Sequence, residues 1–238
     1  MADNDAKKMI RLDYKAYLAD SGRLYDTTNE AVAKEADIYN DKYTYEPMAY
    51  IIGSGKLFAA LEDAISNAEV GKETEILIPA EDAAGARDPK LIEIYPIREF
   101  YKQDINPHPG LQVTLGNRTG HVMSVGAGRV KVDFNSSLAG FDLLYKFTVT
   151  EEIEDPVEKA KAILEVNFGT NEGFEFVFPG DKVTVSLPDI TKFHPEWSSA
   201  RFKVVSDLRD VFGVDTVEFV ETWSLGKKDQ DEEDQKEE

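Results

Sequence analysis

The stretch Asp133–Val149, D-F-N-S-S-L-A-G-F-D-L-L-Y-K-F-T-V, constrains this chain most. Its second half, Leu143 to Val149, has strand composition, and a short loop with turn-forming residues at both ends, Asn135 to Gly140, precedes it. The apolar run that complements it best lies far upstream. From Lys8 to Leu18, the residues Ile10, Leu12, Tyr14, Ala16 and Leu18 alternate with Arg11, Asp13 and Lys15. That is the period of a half-buried strand. Leu143–Val149 is therefore expected to return and close a sheet begun near Ile10.

Between these two strands the pattern changes repeatedly. Ser21-Gly22 turns the chain into a second strand at Leu24–Asp26, and Thr27 and Glu30 stand at capping-box spacing before a helical segment. Tyr45–Ile52 reads as a strand stopped by Gly53-Ser54-Gly55. A helix from Lys56 to about Ala68 follows, with Leu57, Leu61, Ala64, Ile65 and Ala68 on one face. Glu75–Ile78 and Leu91–Ile97 are further strands around an irregular loop. Residues 97–133 then carry two turn-rich regions and short alternating segments, the pattern of a small all-β module. Such a module buries little core alone and depends on anchoring at its ends.

Downstream of 153, Asp155-Pro156 opens a helix as N-cap and first-turn proline, and Gly169 ends it. Phe174–Phe178 and Lys182–Leu187 flank Pro179-Gly180-Asp181 as a hairpin. A helix from Pro195 to about Phe212 and a strand Val217–Trp223 complete an αββαβ segment with its own core material. Lys227–Glu238 has no apolar residue and is expected to be disordered.

Composition removes several function classes. Apolar residues make up 42% of the chain, enough for packed cores. The 46 acidic against 27 basic residues leave a net charge of -19, which repels nucleic acid and anionic lipid. There is no cysteine, so thiolate nucleophiles and disulfides are excluded. His108, His121 and His194 are scattered without a second ligand at metal-site spacing, so no metal or other cofactor is expected. Gly53-Ser54-Gly55-Lys56 lacks P-loop spacing. The N-terminus has no apolar signal region, and no apolar run reaches the ~20 residues of a membrane span. A cytoplasmic protein is the expectation.

Six segments recur in the order of one family. V-D-F-N-S-S-L-A-G (Val132–Gly140) resembles the V-D-x-N-H-x-L-A-G signature of SlyD-like FKBP peptidyl-prolyl isomerases. L-D-Y-K-A-Y (Leu12–Tyr17) resembles that family's first core strand, and D-S-G-R-L-Y-D-T-T (Asp20–Thr28) its D/T-G-x-x-F-D-T/S segment. I-I-G-S-G-K-L-F-A-A-L-E-D-A-I (Ile51–Ile65) resembles the helix entry, and V-G-K-E (Val70–Glu73) the turn after it. A-A-G-A-R-D-P-K-L-I (Ala83–Ile92) resembles the loop before the insert. The resemblance spans residues 8–150 and is to long-type archaeal members.

It implies an α+β fold: an FKBP-like antiparallel sheet wrapped on a helix, with an inserted small all-β flap module and a C-terminal α/β domain. The FKBP-like domain would be discontinuous, 1–96 plus 134–153, with the insert at 97–133, the C-terminal domain at 154–226 and an acidic tail at 227–238. Carried over residue by residue, Tyr14, Asp26 and Tyr145 would be catalytic. Tyr25, Ile52, Leu57, Phe58, Leu61 and Ala84 would bind substrate. Two positions depart from the family: Ala84 replaces a tyrosine or phenylalanine, and Ser136 replaces histidine.

The implied activity is cis/trans isomerisation of X-Pro bonds, with chaperone action on unfolded or proline-containing polypeptides. Amide resonance sets a barrier of ~18–20 kcal/mol. The twisted amide has lost that resonance and is less dipolar, so a dry aromatic pocket favours it over the planar ground state. Asp26 would orient the pocket, polarise the substrate carbonyl with Tyr14, or simply cap the helix near Thr28. The alternative is a non-catalytic FKBP-fold holdase or dimeric scaffold with degraded isomerase activity. Leu111, Val113, Val122, Met123, Val125 and Val130 of the insert would either hold clients or pack their own core. Likewise Phe174, Phe176, Phe178, Val204 and Trp223 would form a homodimer interface or a private core.

Overall fold

The computed structural model describes residues 7–224; the tail 227–238 lies outside the described residues. In chain order the main elements are β1 (Met9–Leu18), β2 (Arg23–Thr27), α1 (Glu30–Glu35), β3 (Met48–Ile51), α2 (Ala59–Ser66) and β4 (Glu73–Ile78). Then come β5 (Ile92–Pro96), α3 (Ile97–Tyr101), β6 (Gln112–Leu115), β7 (Arg118–Gly126), β8 (Arg129–Asp133) and β9 (Leu143–Ile153). The remainder is α4 (Pro156–Phe168), β10 (Glu175–Val177), β11 (Lys182–Leu187), α5 (Trp197–Phe212) and β12 (Thr216–Glu221). Among the described residues two compact units result: Leu12–Met48 with Ser54–Thr150, and 7–11 with Ala49–Gly53 and 151–224.

The first sheet runs β2-β1-β9-β4, with β3 also paired to β1. The returning strand thus pairs with β1, as expected of a strand closing the sheet begun near Ile10, and it lies between β1 and β4. Leu143, Tyr145, Phe147 and Val149 are buried along one face of β9. Strands β4 and β9 are antiparallel, with Ile76 opposite Tyr145 and Ile78 opposite Leu143. Strand β2 pairs antiparallel with β1 through a bulge between Ala16 and Tyr17. Helix α2 buries Leu61 and Ile65 but begins at Ala59, three residues later than its apolar periodicity suggests.

The expected capping box is not formed. Thr27 is the last residue of β2, and its hydroxyl donates to the Tyr14 carbonyl (2.8 Å) instead of reaching the helix. Asn29 is the N-cap, its Oδ1 accepting from Val32 N at 3.1 Å, while Glu30 pairs with Lys34 one turn on. Asp26 is likewise no helix cap; its Oδ1 accepts from the adjacent Thr27 N–H.

A second sheet, β5-β8-β7-β6, is antiparallel throughout. It takes in Ile92–Pro96, on the N-terminal side of position 97. The all-β expectation for the insert is corrected by α3, whose Phe100 is fully buried among Val113, Val122, Val130 and Val132. A five-residue helix is too short to show periodicity in sequence. Leu111 and Val125 pack against the same cluster, so of the six apolar residues singled out in the insert only Met123 is exposed. Met123 is the extra residue of a bulge, since Val122 and Ser124 face the consecutive Val132 and Lys131.

In the other unit, Asp155 caps α4 by accepting from Val157 and Glu158 N–H, and Gly169 ends it in the left-handed conformation that lacks a steric penalty only for glycine. Strands β10 and β11 are antiparallel, and β12 joins β11 in parallel after α5 crosses over. Val183, Val185, Val204, Leu208, Ile163 and Leu164 are fully buried in one core. Phe174 and Val204 belong to that core, and Phe176 and Phe178 pack against it. Trp223 alone of the five interface candidates is exposed. Among the described residues no helix is long and apolar enough to cross a membrane.

Truncating Phe100 removes the largest side chain of the insert's core. Phe100→Ala is expected to destabilise the insert by about 3–5 kcal/mol. Denaturant unfolding followed by amide exchange in β6–β8 measures this. A cost below about 1 kcal/mol would mean that the cluster does not hold the module together.

Candidate active site

Three strands supply one cluster. Tyr14 comes from β1, Tyr25 and Asp26 from β2, and Tyr145 from β9. The antiparallel register sets Ala16 opposite Asp26, one diagonal from Tyr14, so the Tyr14 hydroxyl reaches and donates to Asp26 Oδ2 at 2.8 Å. The Tyr25 hydroxyl donates to the Tyr145 hydroxyl at 2.7 Å. The Tyr145 ring meets Tyr25 edge-on (centroids 6.3 Å) and Tyr14 at a tilt (6.2 Å). Such edge and offset contacts match the positive ring edge to the negative ring face.

The base of the cluster is pinned by hydroxyl-to-backbone bonds. Tyr14 N–H donates to Thr28 Oγ1 (2.9 Å), and Thr28 N–H donates to the Tyr14 carbonyl (3.1 Å). With Thr27 on the same carbonyl, the β1–β2 crossing leaves Tyr14 little backbone freedom.

All three phenols are raised above the ordinary tyrosine range, Tyr14 and Tyr25 well above it. For Tyr14 the causes are burial first, then the negative charge of Asp26 and the hydrogen bond to it. For Tyr25 they are burial first, then its bond to Tyr145. Burial also raises Tyr145, opposed by the hydrogen bond it accepts. These hydroxyls therefore remain protonated donors throughout the physiological range. Tyr14 spends its hydrogen on Asp26 and Tyr25 spends its own on Tyr145, whereas the Tyr145 hydroxyl acts as acceptor within this chain.

The other anticipated residues are placed as follows. Leu61 is buried on α2. Leu57 and Phe58 are half-buried just ahead of that helix, with Phe58 as its N-cap and its carbonyl accepting from Glu62 N–H. Ala84 is half-buried in the turn after β4, closed by Gly85 N–H donating to the Ala80 carbonyl (2.8 Å). Ile52 belongs to the other compact unit, where its N–H donates to the Lys8 carbonyl at 2.9 Å. Ser136 is exposed, and its Oγ accepts from Leu138 N–H at 3.3 Å. Among the described residues no three His, Asp or Glu side chains stand close enough to hold a metal.

A second constellation escaped the sequence reading. Asp133, only 3% exposed, accepts from Asn135 N–H (2.8 Å) and Nδ2 (2.7 Å) and pairs with Arg87. Burial raises its carboxyl, but the bonds from Asn135 and the Arg87 guanidinium outweigh burial and hold it below the usual carboxylate range. Asn135 also exchanges two hydrogen bonds with the backbone of Asp88. The two motifs involved, A-A-G-A-R-D and V-D-F-N, are visible in sequence, but nothing in either points to a partner 46 positions away.

Comparison with known proteins adds the family. The chain is 36% identical over 149 residues to a short-type peptidyl-prolyl cis-trans isomerase of Methanocaldococcus jannaschii, covering 63% of this chain and 92% of that protein. The chain belongs to the SlyD/FKBP-type peptidyl-prolyl cis-trans isomerase family. It is also 29% identical over 119 residues to the FKBP-type isomerase SlyD of Helicobacter pylori, covering 48% of this chain and 63% of that protein. Family models match residues 93–138 (FKBP26, IF domain) and 156–224 (FKBP26 C-terminal). The tyrosine–aspartate cluster lies outside both matched segments and inside the part of the chain carrying the FKBP motifs.

The raised phenols give a signed pH dependence. Above pH ~10 an unfolded chain releases tyrosine protons that the folded cluster keeps, so stability falls as pH rises past that point. In an ultraviolet titration, the cluster tyrosines should ionise only with alkaline unfolding. Asp26→Asn should bring Tyr14 ionisation to lower pH by removing the adjacent charge. Tyrosines titrating as one class near ~10 in the folded protein would contradict the buried cluster.

Proposed function

We propose that this chain is a peptidyl-prolyl cis-trans isomerase acting on proline-containing, unfolded polypeptides in the cytoplasm. The observation that carries the reading is the hydrogen-bond pattern of the tyrosine cluster. Two hydroxyls are tied up internally, and one, on Tyr145, has a hydrogen left to give. A proline ring entering beside these rings displaces water, and the carbonyl preceding it accepts from Tyr145.

Rotation of the X-Pro bond costs the amide its resonance. The twisted form is less dipolar and fits an apolar wall better than the planar one, so the cluster binds it more tightly and lowers the barrier. Asp26 keeps Tyr14 oriented by accepting its hydrogen, rather than polarising the substrate through Tyr14. Leu57, Phe58, Leu61 and Ala84 contribute apolar surface in this reading, whereas Ile52 belongs to the other compact unit and is left out of it. With alanine at 84, the cluster depends more on Tyr25 and Tyr145 than on a loop aromatic.

The insert acts as a client-holding module. In support, its sheet leaves Ile94 and Met123 exposed, and α3 leaves Tyr101 exposed, after its own core is filled. The C-terminal domain pairs with that of a second copy. The exposed Phe193 and Trp223, in edge contact at 6.0 Å, support an apolar surface there, in place of the Phe and Val residues used in its core.

Substoichiometric protein is expected to accelerate the proline-limited refolding of a denatured substrate protein. Tyr145→Phe should lower kcat about tenfold, the loss of one hydrogen bond made in the transition state. No acceleration at micromolar concentration, with aggregation still suppressed, would favour a non-catalytic holdase. Absence of both effects would remove both readings.

A further inference from the structure

The chain leaves the first sheet after β4 and re-enters it at β9, and everything between passes through two adjacent connections, residues 79–91 and 134–142. These connections are bonded to each other along their length. Near the first sheet, Ala80 N–H donates to Asp142 Oδ1 (2.8 Å), and Gly140 N–H to the Gly85 carbonyl (2.8 Å). Near the second sheet, Phe134 N–H donates to the Leu91 carbonyl (2.9 Å). In the middle sits the Asn135 amide. Its Oδ1 accepts from Asp88 N–H (2.8 Å), while Nδ2 donates to the Asp88 carbonyl (3.0 Å) and to Asp133 Oδ1 (2.7 Å). Arg87 pairs with the other Asp133 oxygen.

Neither Asp133 nor Asn135 touches the tyrosine cluster, and neither contributes to the valine core of the insert. Their bonds do one thing: they make two flexible connections behave as a single stiff passage. Asparagine is needed at 135 because one end of its amide must accept and the other must donate. A carboxylate there would face both the Asp88 carbonyl and the Asp133 carboxylate.

We infer that Arg87, Asp133 and Asn135 form a positioning clasp that holds the insert at a set place relative to the tyrosine cluster, so that a polypeptide held on the insert presents its proline at high effective concentration. The inference rests on the isomerase reading above. A rigid passage keeps delivery intramolecular, and a loosened one dilutes the second encounter over a larger volume. The clasp acts on long substrates that touch insert and cluster together. A proline tetrapeptide, which reaches only the cluster, is indifferent to it.

The test uses full-length protein with Asn135→Asp, and Arg87→Gln as a milder second variant. For a denatured protein substrate with a proline-limited phase, KM should rise about tenfold in Asn135→Asp. The kcat/KM on a proline tetrapeptide should stay within about twofold of wild type. The backbone amides of Asp88, Phe134 and Gly140 should exchange with solvent faster. Equal loss on both substrates overturns the clasp, because the residues then support the isomerase fold itself. Faster exchange with an unchanged protein KM also overturns it. A wild type inactive on the tetrapeptide would defeat the isomerase reading, and the delivery role with it; unaltered amide exchange in both variants would overturn the clasp whatever becomes of that reading.

Discussion

Strand β9 between β1 and β4 is the constraint on which the rest of the first unit depends. Leu143, Tyr145, Phe147 and Val149 put one buried face against both neighbours, and the strand cannot slip by one residue without turning that face to water. The same register places the Tyr145 ring beside Tyr14 and Tyr25. Closing the sheet requires the ends of a long intervening segment to meet, a cost that grows only slowly with length. A complete small module can therefore be carried between β4 and β9 with little penalty, provided its two connections are held together.

Polar groups are distributed by the same logic. In the tyrosine cluster each hydroxyl is oriented by a partner, and the order of donation decides which one remains to act. Tyr14 donates to Asp26 and Tyr25 donates to Tyr145, so the donor left over is on the returning strand and not on the strand that opens the sheet. At the connections, Asp133 is a buried carboxylate whose desolvation is offset by two bonds from Asn135 and a guanidinium. A buried charge is tolerated only when it is paired and hydrogen-bonded in this way. Both clusters join residues distant in sequence, one across paired strands and the other across the paired connections.

Local signals were read correctly where a single element decides them. The alternation in β1, the strand composition of β9, the Asp155-Pro156 start and Gly169 end of α4, and the hairpin around Gly180 all depend on nearest neighbours. What sequence misreads or leaves open has a common cause. Thr27 was free in sequence to cap a helix, but the adjacent strand offered the Tyr14 carbonyl and captured its hydroxyl. Helix α3 was too short to show a period, and is held by the burial of Phe100. Phe174 and Val204 looked equally suited to an interface and to a core, because apolar side chains carry no label saying which neighbour will cover them.

The sequence by itself determined that the chain is an acidic α+β protein with no cysteine chemistry, an early strand closed by a late one, and FKBP motifs in family order. Those properties follow from composition, short-range periodicity and residue identity. Tertiary structure alone decided that Tyr14 gives its hydrogen to Asp26 while Tyr145 keeps one, and that Asn135 bridges Asp88 and Asp133. The reason is directional. A hydrogen bond depends on distance and angle between groups from separate strands, and neither exists until the sheet has closed.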